Sequence, residues 1–346
     1  AVACDGRLVA ARTFGAAPTS RYVTYSCTKA LVAGAVWKVI GDGLVARDTR
    51  VAEVIEGFGA NGKETVTVEM LLCHTAGFPN APMGDEDWSD PRRRREVLAS
   101  WRPRWEPGSR FVYHGTSAHW ALAAMLETVT GRDVREYTRT EVADAAGVPG
   151  FQLGTPPDDQ TEVLDVVGVG EPPGRDDVDA GIGLDVSAAG APEEGLLRHN
   201  DPGVREIGQP GGGAIGRAAD LALFYQALLA DPTGIWDPAV LAAGTAEVLC
   251  DLPDPMTGVP AHRSLGLVIA GDDGHAFMRG FGDSTSAAAF GHMGAGGQVA
   301  WADPVSGLSF AYLTNGHDRD PLRMGARSHA LSSRAARCRP GSERAA

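Results

Sequence analysis

A serine stands three residues before a lysine in the segment Ser26–Lys29, at the start of a stretch with helical periodicity. Because positions i and i+3 lie on the same face of a helix, the Ser26 hydroxyl and the Lys29 amine become neighbours. A serine hydroxyl needs an adjacent base to act as a nucleophile, and a lysine serves where burial or nearby cations favour its neutral form. The backbone N–H groups of the helix N-terminus would stabilise a developing oxyanion. The spacing therefore predicts nucleophilic catalysis by Ser26.

The Ser-x-x-Lys pattern is only four residues long, and an N-cap serine followed by a surface lysine gives the same pattern. The apolar residues that follow, Ala30–Val32, favour a buried helix, which is an unusual place for an idle lysine. Cys27, inside the motif, is interpreted as a packing residue rather than as a second nucleophile. The apolar context therefore favours the catalytic interpretation.

Two further stretches carry groups that could take part in such chemistry. Tyr113-His114-Gly115 directly precedes a predicted helix, and the glycine-rich Gly291–Gly297 lies between two apolar segments. A glycine-rich strand edge lets a substrate approach the backbone closely. The alternative interpretations are a half-buried tyrosine with a satisfied hydroxyl and a glycine bulge.

The order of these motifs resembles the serine β-lactamase-like superfamily, the group of class C β-lactamases, DD-peptidases and family VIII esterases. The resemblance extends from about residue 2 to 315, and it is carried by Ser26–Lys29, Leu71–Phe78, Pro107-Gly108 with Tyr113, and His292–Gly294. The features most similar to the esterase branch are Tyr113-His114, Gly291–Gly297 followed by Ala302–Pro304, and Pro210–Gly213 leading into Asp220-Leu221.

The resemblance implies roles for individual residues. Ser26 would be the nucleophile, while Lys29 and Tyr113 would share the general-base and general-acid work. Ala295 would give one oxyanion N–H beside that of Ser26. The predicted oxyanion and substrate-binding residues are Ala295, His292, Gly294, Gly115 and His114. His74 and His114 could each instead be a structural histidine.

Two positions depart from the pattern of β-lactamases and peptidases. Gly115 stands where those enzymes usually hold an asparagine that contacts the substrate amide. His292 stands where they carry a lysine, a permanent cation that would attract a substrate carboxylate. Both departures disfavour penicillin or peptidoglycan substrates, and they favour neutral esters or another acyl donor.

The predicted activity is that of a serine hydrolase acting on small-molecule carboxylic esters through an acyl-enzyme on Ser26. Three alternatives stay open at this stage. The first is a transacylase that passes the acyl group to an amine or alcohol, and the second is a β-lactamase or D-amino-acid peptidase. The third is a binding protein that has kept the fold without turnover. Fold resemblance predicts the reaction machinery better than the substrate.

The elements that must position these residues alternate between strands and helices. Strands are predicted around the Asp5-Gly6 turn and within 264–269, 298–302 and 308–314, and helices at about 27–40, 67–72, 116–130 and 218–230, with one more near the C-terminus. Residues 80–110 are predicted to be rich in loops, and residues 154–212 to be long surface excursions.

This order predicts an α/β fold of the α+β type, like that of β-lactamases and penicillin-binding proteins, with an antiparallel sheet flanked by helices. Residues 1–55 and 205–346 would form the mixed domain, and residues 56–204 a mostly helical insertion. The active site would lie between the two domains.

Composition and charge exclude several classes. The net charge of −13 argues against a nucleic-acid partner, and the run Arg92–Arg95 is interpreted as a solvated helix face. No apolar stretch approaches the ~18 residues of a membrane span. Gly211-x-Gly213-x-x-Gly216 matches a dinucleotide fingerprint without a surrounding βαβ unit. The nine histidines show no H-x-H or H-E-x-x-H spacing, so neither a metal nor a cofactor is predicted.

The cysteines give a weak indication of the compartment. Five cysteines without a C-x-x-C pair predict idle thiols, which favours a reducing, cytoplasmic setting. No signal peptide is visible at the N-terminus. The chain begins with alanine rather than methionine, so a secreted protein also remains open.

Overall fold

A six-stranded antiparallel sheet built from both ends of the chain organises the fold. The computed structural model describes residues 1–172 and 193–338. In order of hydrogen bonding, the strands of the sheet are β2 (Arg7–Ala10), β1 (Val2–Cys4), β10 (Leu308–Tyr312), β9 (Gln298–Asp303), β8 (Phe290–Gly294) and β7 (Val268–Ile269). Asp5 and Gly6 both have positive φ, as the predicted two-residue hairpin turn requires. The predicted mixed α/β architecture with an antiparallel sheet is confirmed.

Two small sheets accompany the large one. The strands β3 (Tyr22–Val23), β6 (Ala214–Gly216) and β4 (Gln152–Leu153) pair in the order β3-β6-β4. The second small sheet pairs β5 (Val167–Val169) with β11 (Gly316–Asp318) in parallel. The first matters for the site, because β3 leads directly into the turn that carries Ser26.

Helices cover both faces of the large sheet. They are α1 (Thr28–Gly41), α2 (Val51–Val54), α3 (Val68–Leu72), α4 (Asp85–Trp88), α5 (Pro91–Ser100), α6 (Ser117–Thr130), α7 (Val134–Tyr137), α8 (Glu193–Leu197), α9 (Pro202–Ile207), α10 (Ala218–Ala230), α11 (Pro238–Thr245) and α12 (Pro321–Ala335). A π-helical segment, Thr138–Asp144, follows α7. No helix in the described ranges is long and apolar enough to cross a membrane.

Successive side chains of a strand point to opposite faces of the sheet, so the sheet separates two parts of the core. Along β9, Ala300 and Ala302 face the main core, which contains α1, α6 and α10. Val299 and Trp301 face the opposite side and belong to a second cluster with residues of α12. Helix α1 therefore lies in the middle of the molecule, and its site-bearing N-terminus is surrounded by packed elements.

Several helix ends follow the local signals in the sequence. The Thr67 hydroxyl accepts from the Met70 N–H as the N-cap of α3, and Gly131 ends α6 in the left-handed conformation with a φ of +68°. Helix α10 has the predicted bounds. The predicted strand 264–269 is shorter than expected, because only Val268 and Ile269 join the sheet.

The segment 80–110 holds more regular structure than its prolines indicate, because it contains α4 and α5. Asp90 caps α5, and Pro91 occupies its first turn, where a missing N–H costs nothing. The interpretation of Arg92–Arg95 as a solvated face is wrong for Arg94, which is buried and forms a two-oxygen ion pair with Glu127 of α6. The other three arginines are exposed.

Residues 154–172 and 193–212 contain the short elements β5, α8 and α9, and part of this region is packed rather than superficial. Val163, Val166 and Leu196 form a small core with Tyr25, the residue before Ser26. The remaining positions of the predicted excursion, 173–192, lie outside the described residues. The proposed division into two domains stays a prediction. Helices α1 and α6, which would belong to different domains, share the main core.

Candidate active site

Ser26 lies in a 3₁₀ turn, Tyr25–Cys27, that runs directly into α1. Tyr25 has a φ of +43°, a left-handed conformation that non-glycine residues rarely adopt. The Tyr25 hydroxyl donates to the Leu196 carbonyl over 3.2 Å, and its ring stands edge-on to His199 at 5.4 Å. These contacts hold the sharp turn that presents Ser26 at the helix N-terminus.

Lys29 is fully buried one helical turn after Ser26, and its amine has three neighbours. Nζ lies 2.7 Å from the carbonyl oxygens of Gly115 and Gly211 and 3.2 Å from Ser26 Oγ. A carbonyl oxygen can only accept, so two N–H bonds of the amine are committed to the two carbonyls. A neutral amine then keeps its lone pair for the third direction, in which Ser26 Oγ lies.

Electrostatics favour that neutral form. Burial lowers the pKa of Lys29, because the charged form loses its hydration. The Tyr113 hydroxyl acts in the opposite direction, while the Arg263 guanidinium lowers the pKa further by charge repulsion. The amine is therefore both held in place and suited to accept a proton.

Tyr113 reaches the same serine from the segment before α6. Its hydroxyl donates to Ser26 Oγ over 2.8 Å, and Lys29 Nζ lies 5.1 Å from the centre of its ring. His74 packs against the ring with a centroid separation of 4.7 Å. The structure thus brings Ser26, Lys29 and Tyr113 together, although 87 positions separate the tyrosine from the serine.

The end of β8 forms the opposite wall of the site. A Cβ atom on Gly294 would lie 2.6 Å from the Thr24 carbonyl oxygen, so glycine is required for strand and turn to pack this closely. Ala295 follows and packs in the cluster that contains Tyr25. The backbone of Ala295 is thereby held near the turn that carries Ser26, where the predicted oxyanion N–H groups would have to lie.

His292 is buried on β8 and is held as a neutral ring. Its Nδ1 lies 2.6 Å from the Met293 carbonyl oxygen and therefore carries the proton. Its Nε2 then accepts from Arg263 Nη1 over 3.2 Å. Burial lowers the pKa of His292 well below its usual range, and repulsion from Arg263 and Lys29 adds to the effect. A neutral histidine therefore occupies this position.

Gly115 and His114 contribute in different ways. The Gly115 carbonyl anchors Lys29, and a Cβ on this glycine would meet nothing closer than 3.9 Å. Both ring nitrogens of His114 bond backbone groups: Nε2 accepts from the Phe78 N–H, and Nδ1 lies 2.6 Å from the Val112 carbonyl oxygen. His114 therefore holds the loop that carries Tyr113, and it offers no free ring nitrogen to a substrate.

Sequence reasoning missed two contributors to the site. In the sequence, Gly211 belongs only to a dinucleotide-like pattern and to the family resemblance, yet its carbonyl holds Lys29, and a Cβ there would lie 2.7 Å from the Gly115 carbonyl oxygen. Arg263 lies in no motif at all, and only tertiary structure brings it to Tyr113 and His292. The Pro210–Gly213 run was the available signal for Gly211, and Arg263 had none.

Cys27 lies inside the motif, and its environment is that of a packed thiol. It is fully buried, and its Sγ lies 3.3 Å from the His292 carbonyl oxygen. Burial raises the pKa of this thiol to about 12, against a smaller opposing effect of Lys29. A protonated, buried thiol is a poor nucleophile.

The chain is similar to known proteins in sequence and in fold. A family model described as Beta-lactamase matches residues 1–333. The esterase/beta-lactamase LipL of Mycobacterium tuberculosis is 27% identical over 308 residues, which cover 85% of this chain and 68% of that protein.

Solved structures show the same relationship. A family VIII carboxylesterase superposes with a TM-score of 0.73 at 26% identity, covering 92% of this chain and 84% of that chain. A penicillin-binding protein homologue from Caulobacter crescentus superposes with a TM-score of 0.71 at the same identity and the same coverage of both chains.

Proposed function

The chain belongs to the β-lactamase family of serine hydrolases, and on this premise we propose that it cleaves carboxylic esters of small molecules through an acyl-enzyme on Ser26. The observation that carries the proposal is the arrangement around one oxygen atom. Ser26 Oγ lies 3.2 Å from Lys29 Nζ and 2.8 Å from Tyr113 OH. A hydroxyl with both a base and a proton donor within hydrogen-bond distance suits a two-step acyl transfer.

In the first step, Ser26 Oγ attacks the acyl carbon of the ester while its proton moves to the Lys29 amine. The oxyanion that forms is stabilised by the backbone N–H groups of Ser26 and Ala295. When the intermediate collapses, the bond to the leaving alcohol breaks, and Tyr113 passes a proton to the alcohol oxygen. Lys29 returns its proton to Tyr113.

In the second step, a water molecule attacks the acyl carbon of the acyl-enzyme. Its proton passes to the amine and tyrosine pair, the bond to Ser26 Oγ breaks, and Ser26 recovers its hydrogen. The carboxylic acid leaves. The same groups act in both directions, so no further residue is needed for turnover.

Two observations support an ester rather than an amide as the substrate. Gly115 has no side chain to contact a substrate amide, and His292 is a neutral ring. Among relatives, LipL is named an esterase/beta-lactamase, and the family VIII protein is named a carboxylesterase. These names support ester chemistry for this chain without identifying the acyl group.

The test is acylation by p-nitrophenyl butyrate, read as nitrophenol release and as intact-protein mass after rapid acid quenching. We expect a butyryl increment in the intact mass, which fragmentation of the digested protein assigns to Ser26, with both signals lost in Ser26→Ala. Cys27→Ala is the matched control, because it removes the neighbouring candidate nucleophile, and it should keep both signals. Equal activity of the parent and Ser26→Ala, or an adduct on Cys27, would refute the proposal.

Product analysis identifies the final acceptor. If hydrolysis is the reaction, addition of a primary amine leaves butyric acid as the main product. A butyramide that grows with amine concentration, at constant nitrophenol release, would assign the protein to transfer instead. Turnover of a chromogenic cephalosporin faster than that of the ester would assign it to β-lactam hydrolysis.

A further inference from the structure

Arg263 brings a positive charge into the site from a segment that none of the motifs includes. Its backbone pairs with that of Cys250 through two hydrogen bonds of 2.9 and 3.0 Å. The guanidinium carbon lies 5.3 Å from the ring centres of both Phe111 and Tyr113. Its Nη1 donates to His292 Nε2 over 3.2 Å. Arg263 thus contacts two walls of the site at once.

The guanidinium has no acidic partner among the residues that the structure describes. Asp254 acts on it electrostatically without forming an ion pair. Its Nε is buried and has no hydrogen-bond acceptor. Arginines that lose hydration are ordinarily paired with a carboxylate, since an unpaired charge is costly. A half-buried charge kept here without an ion-pair partner among the described residues points to a role in the site itself.

We propose that Arg263 is a positioning residue for the reaction: it holds the Tyr113 ring and the His292 imidazole in place, and its charge, which has no ion-pair partner in the described part of the chain, keeps the Lys29 amine free to take the proton of Ser26. This inference rests on the proposed function for its catalytic consequence, whereas the contacts of Arg263 stand independently. The orientation of His292 follows directly. With its acceptor nitrogen turned to Arg263, the imidazole cannot accept a hydrogen bond from Lys29.

The charged and titratable groups around Lys29 come from every element packed against it. They are Cys27 on its own turn, His74 after α3, Tyr113 and His114 before α6, His119 on α6, His292 on β8, and Arg263. Burial lowers the pKa of His74 and of His119 well below the usual range, so both rings are neutral. Of these groups, Arg263 alone carries a permanent charge.

The experiment compares Arg263→Met, which removes the charge, with Arg263→Lys, which keeps a charge but loses the planar group. The burst rate of Ser26 acylation by p-nitrophenyl butyrate is measured from pH 5 to 10. For Arg263→Met we expect the acidic limb of the profile to move up by about one pH unit and the plateau to fall on the order of ten- to a hundred-fold. For Arg263→Lys, the limb should stay near that of the parent, with only the plateau reduced.

Arg132→Met is the matched control, because it removes the same charge beyond the far end of α6, where Arg132 pairs with Glu136 and Glu141. Its profile should equal that of the parent. An unchanged acidic limb in folded Arg263→Met would overturn the proposal. A loss confined to esters that carry a carboxylate would also overturn it, because Arg263 would then bind the substrate instead.

A second readout does not depend on turnover. The chain has three lysines, Lys29, Lys38 and Lys63, so a sample labelled with ¹³C at lysine Cε gives three resonances that single Lys→Arg variants assign. Lys29 should titrate at a higher pH in Arg263→Met than in the parent. If it does so while the parent forms no acyl-enzyme, the proposed function fails and the role of Arg263 stands. An equal midpoint in both proteins would overturn that role.

Discussion

Lys29 donates from Nζ to the carbonyl oxygen of Gly211 over 2.7 Å, across 182 positions of the chain. The carbonyl of Gly115 takes a second N–H at the same distance. Together the two carbonyls fix two N–H bonds of the Lys29 amine. The third hydrogen-bonding direction of the amine then faces Ser26. A lysine on a flexible four-carbon chain is ordinarily a mobile base. Here two glycines, whose backbones approach closely, give it a single orientation.

Lys29→Met should abolish most of the activity while leaving the protein folded. Loss of a positioned general base costs about 10²- to 10⁴-fold in rate, which we expect in kcat/KM for p-nitrophenyl butyrate. Lys38→Met is the matched control on the same helix, because Lys38 is at the surface and pairs with Asp42. Activity within a factor of two of the parent in Lys29→Met would contradict the role assigned to the amine.

Tyr113→Phe separates the hydroxyl from the ring. The ring contacts with His74 and Arg263 persist in phenylalanine, so the free energy of unfolding should change by less than about 1 kcal/mol. The proton donor to Ser26 is lost, and kcat/KM should fall about 10²- to 10⁴-fold. Urea unfolding and ester turnover on one preparation check both parts. Tyr137→Phe, at a buried tyrosine of α7, should leave turnover unchanged.

The sequence predicted Ser26, Lys29 and Tyr113 as site residues because they lie in local patterns, and the structure brings the three side chains together. Ser26 and Lys29 share one helical turn, and Tyr113 stands at a fixed place before α6. Arg263 could not be predicted, because its contacts with Tyr113 and His292 form only in the folded chain. No residues near it in sequence form a motif with it. Local spacing and the family resemblance therefore predicted the proposed reacting groups, whereas Arg263 came only from tertiary structure.

The same distinction applies to the fold. Helix α6 was predictable because its apolar residues continue to the helix-ending Gly131, and α10 because a similar stretch rich in apolar residues follows Pro210–Gly213. The burial of Arg94 could not be predicted, because four consecutive arginines indicate a solvated helix face. Only the packing of α5 against α6 brings Glu127 to Arg94. The contribution of Leu196 to the core around Tyr25 was hidden for a similar reason. Its segment has no apolar periodicity of its own.

Acid should destabilise the protein below about pH 6.5, before most carboxylates titrate. Burial lowers the pKa of His114 and of His199 from 6.5 to about 4, so the folded state resists protons that the unfolded state binds. The two neutral histidines therefore contribute fully to the free energy of unfolding above pH 6.5. This contribution is lost as the pH falls from 6.5 to 4. At pH 5 each histidine should lower the free energy of unfolding by on the order of 2 kcal/mol relative to neutral pH.

Urea unfolding at pH 7.5 and pH 5.0 measures this loss directly. His199→Phe offers a matched variant, because it keeps an aromatic ring against Tyr25 and removes the titrating group. Its stability should fall less between the two pH values than that of the parent. An equal fall in both proteins would show that His199 is protonated without cost in the folded state.

Gly294→Ala tests the close approach between β8 and the turn that carries Ser26. The new Cβ would lie 2.6 Å from the Thr24 carbonyl oxygen and 2.9 Å from Gln298 Cβ, so the strand must move away from the turn. We expect a loss of about 1–3 kcal/mol in stability and more than ~10-fold in kcat/KM, since the Ala295 N–H moves with the strand. Gly325→Ala is the control: it lies inside α12 with no atom within 4 Å of a new Cβ, and it should keep full activity while gaining roughly 0.5–1 kcal/mol. Full activity in Gly294→Ala would mean that the wall formed by β8 does not position the oxyanion site.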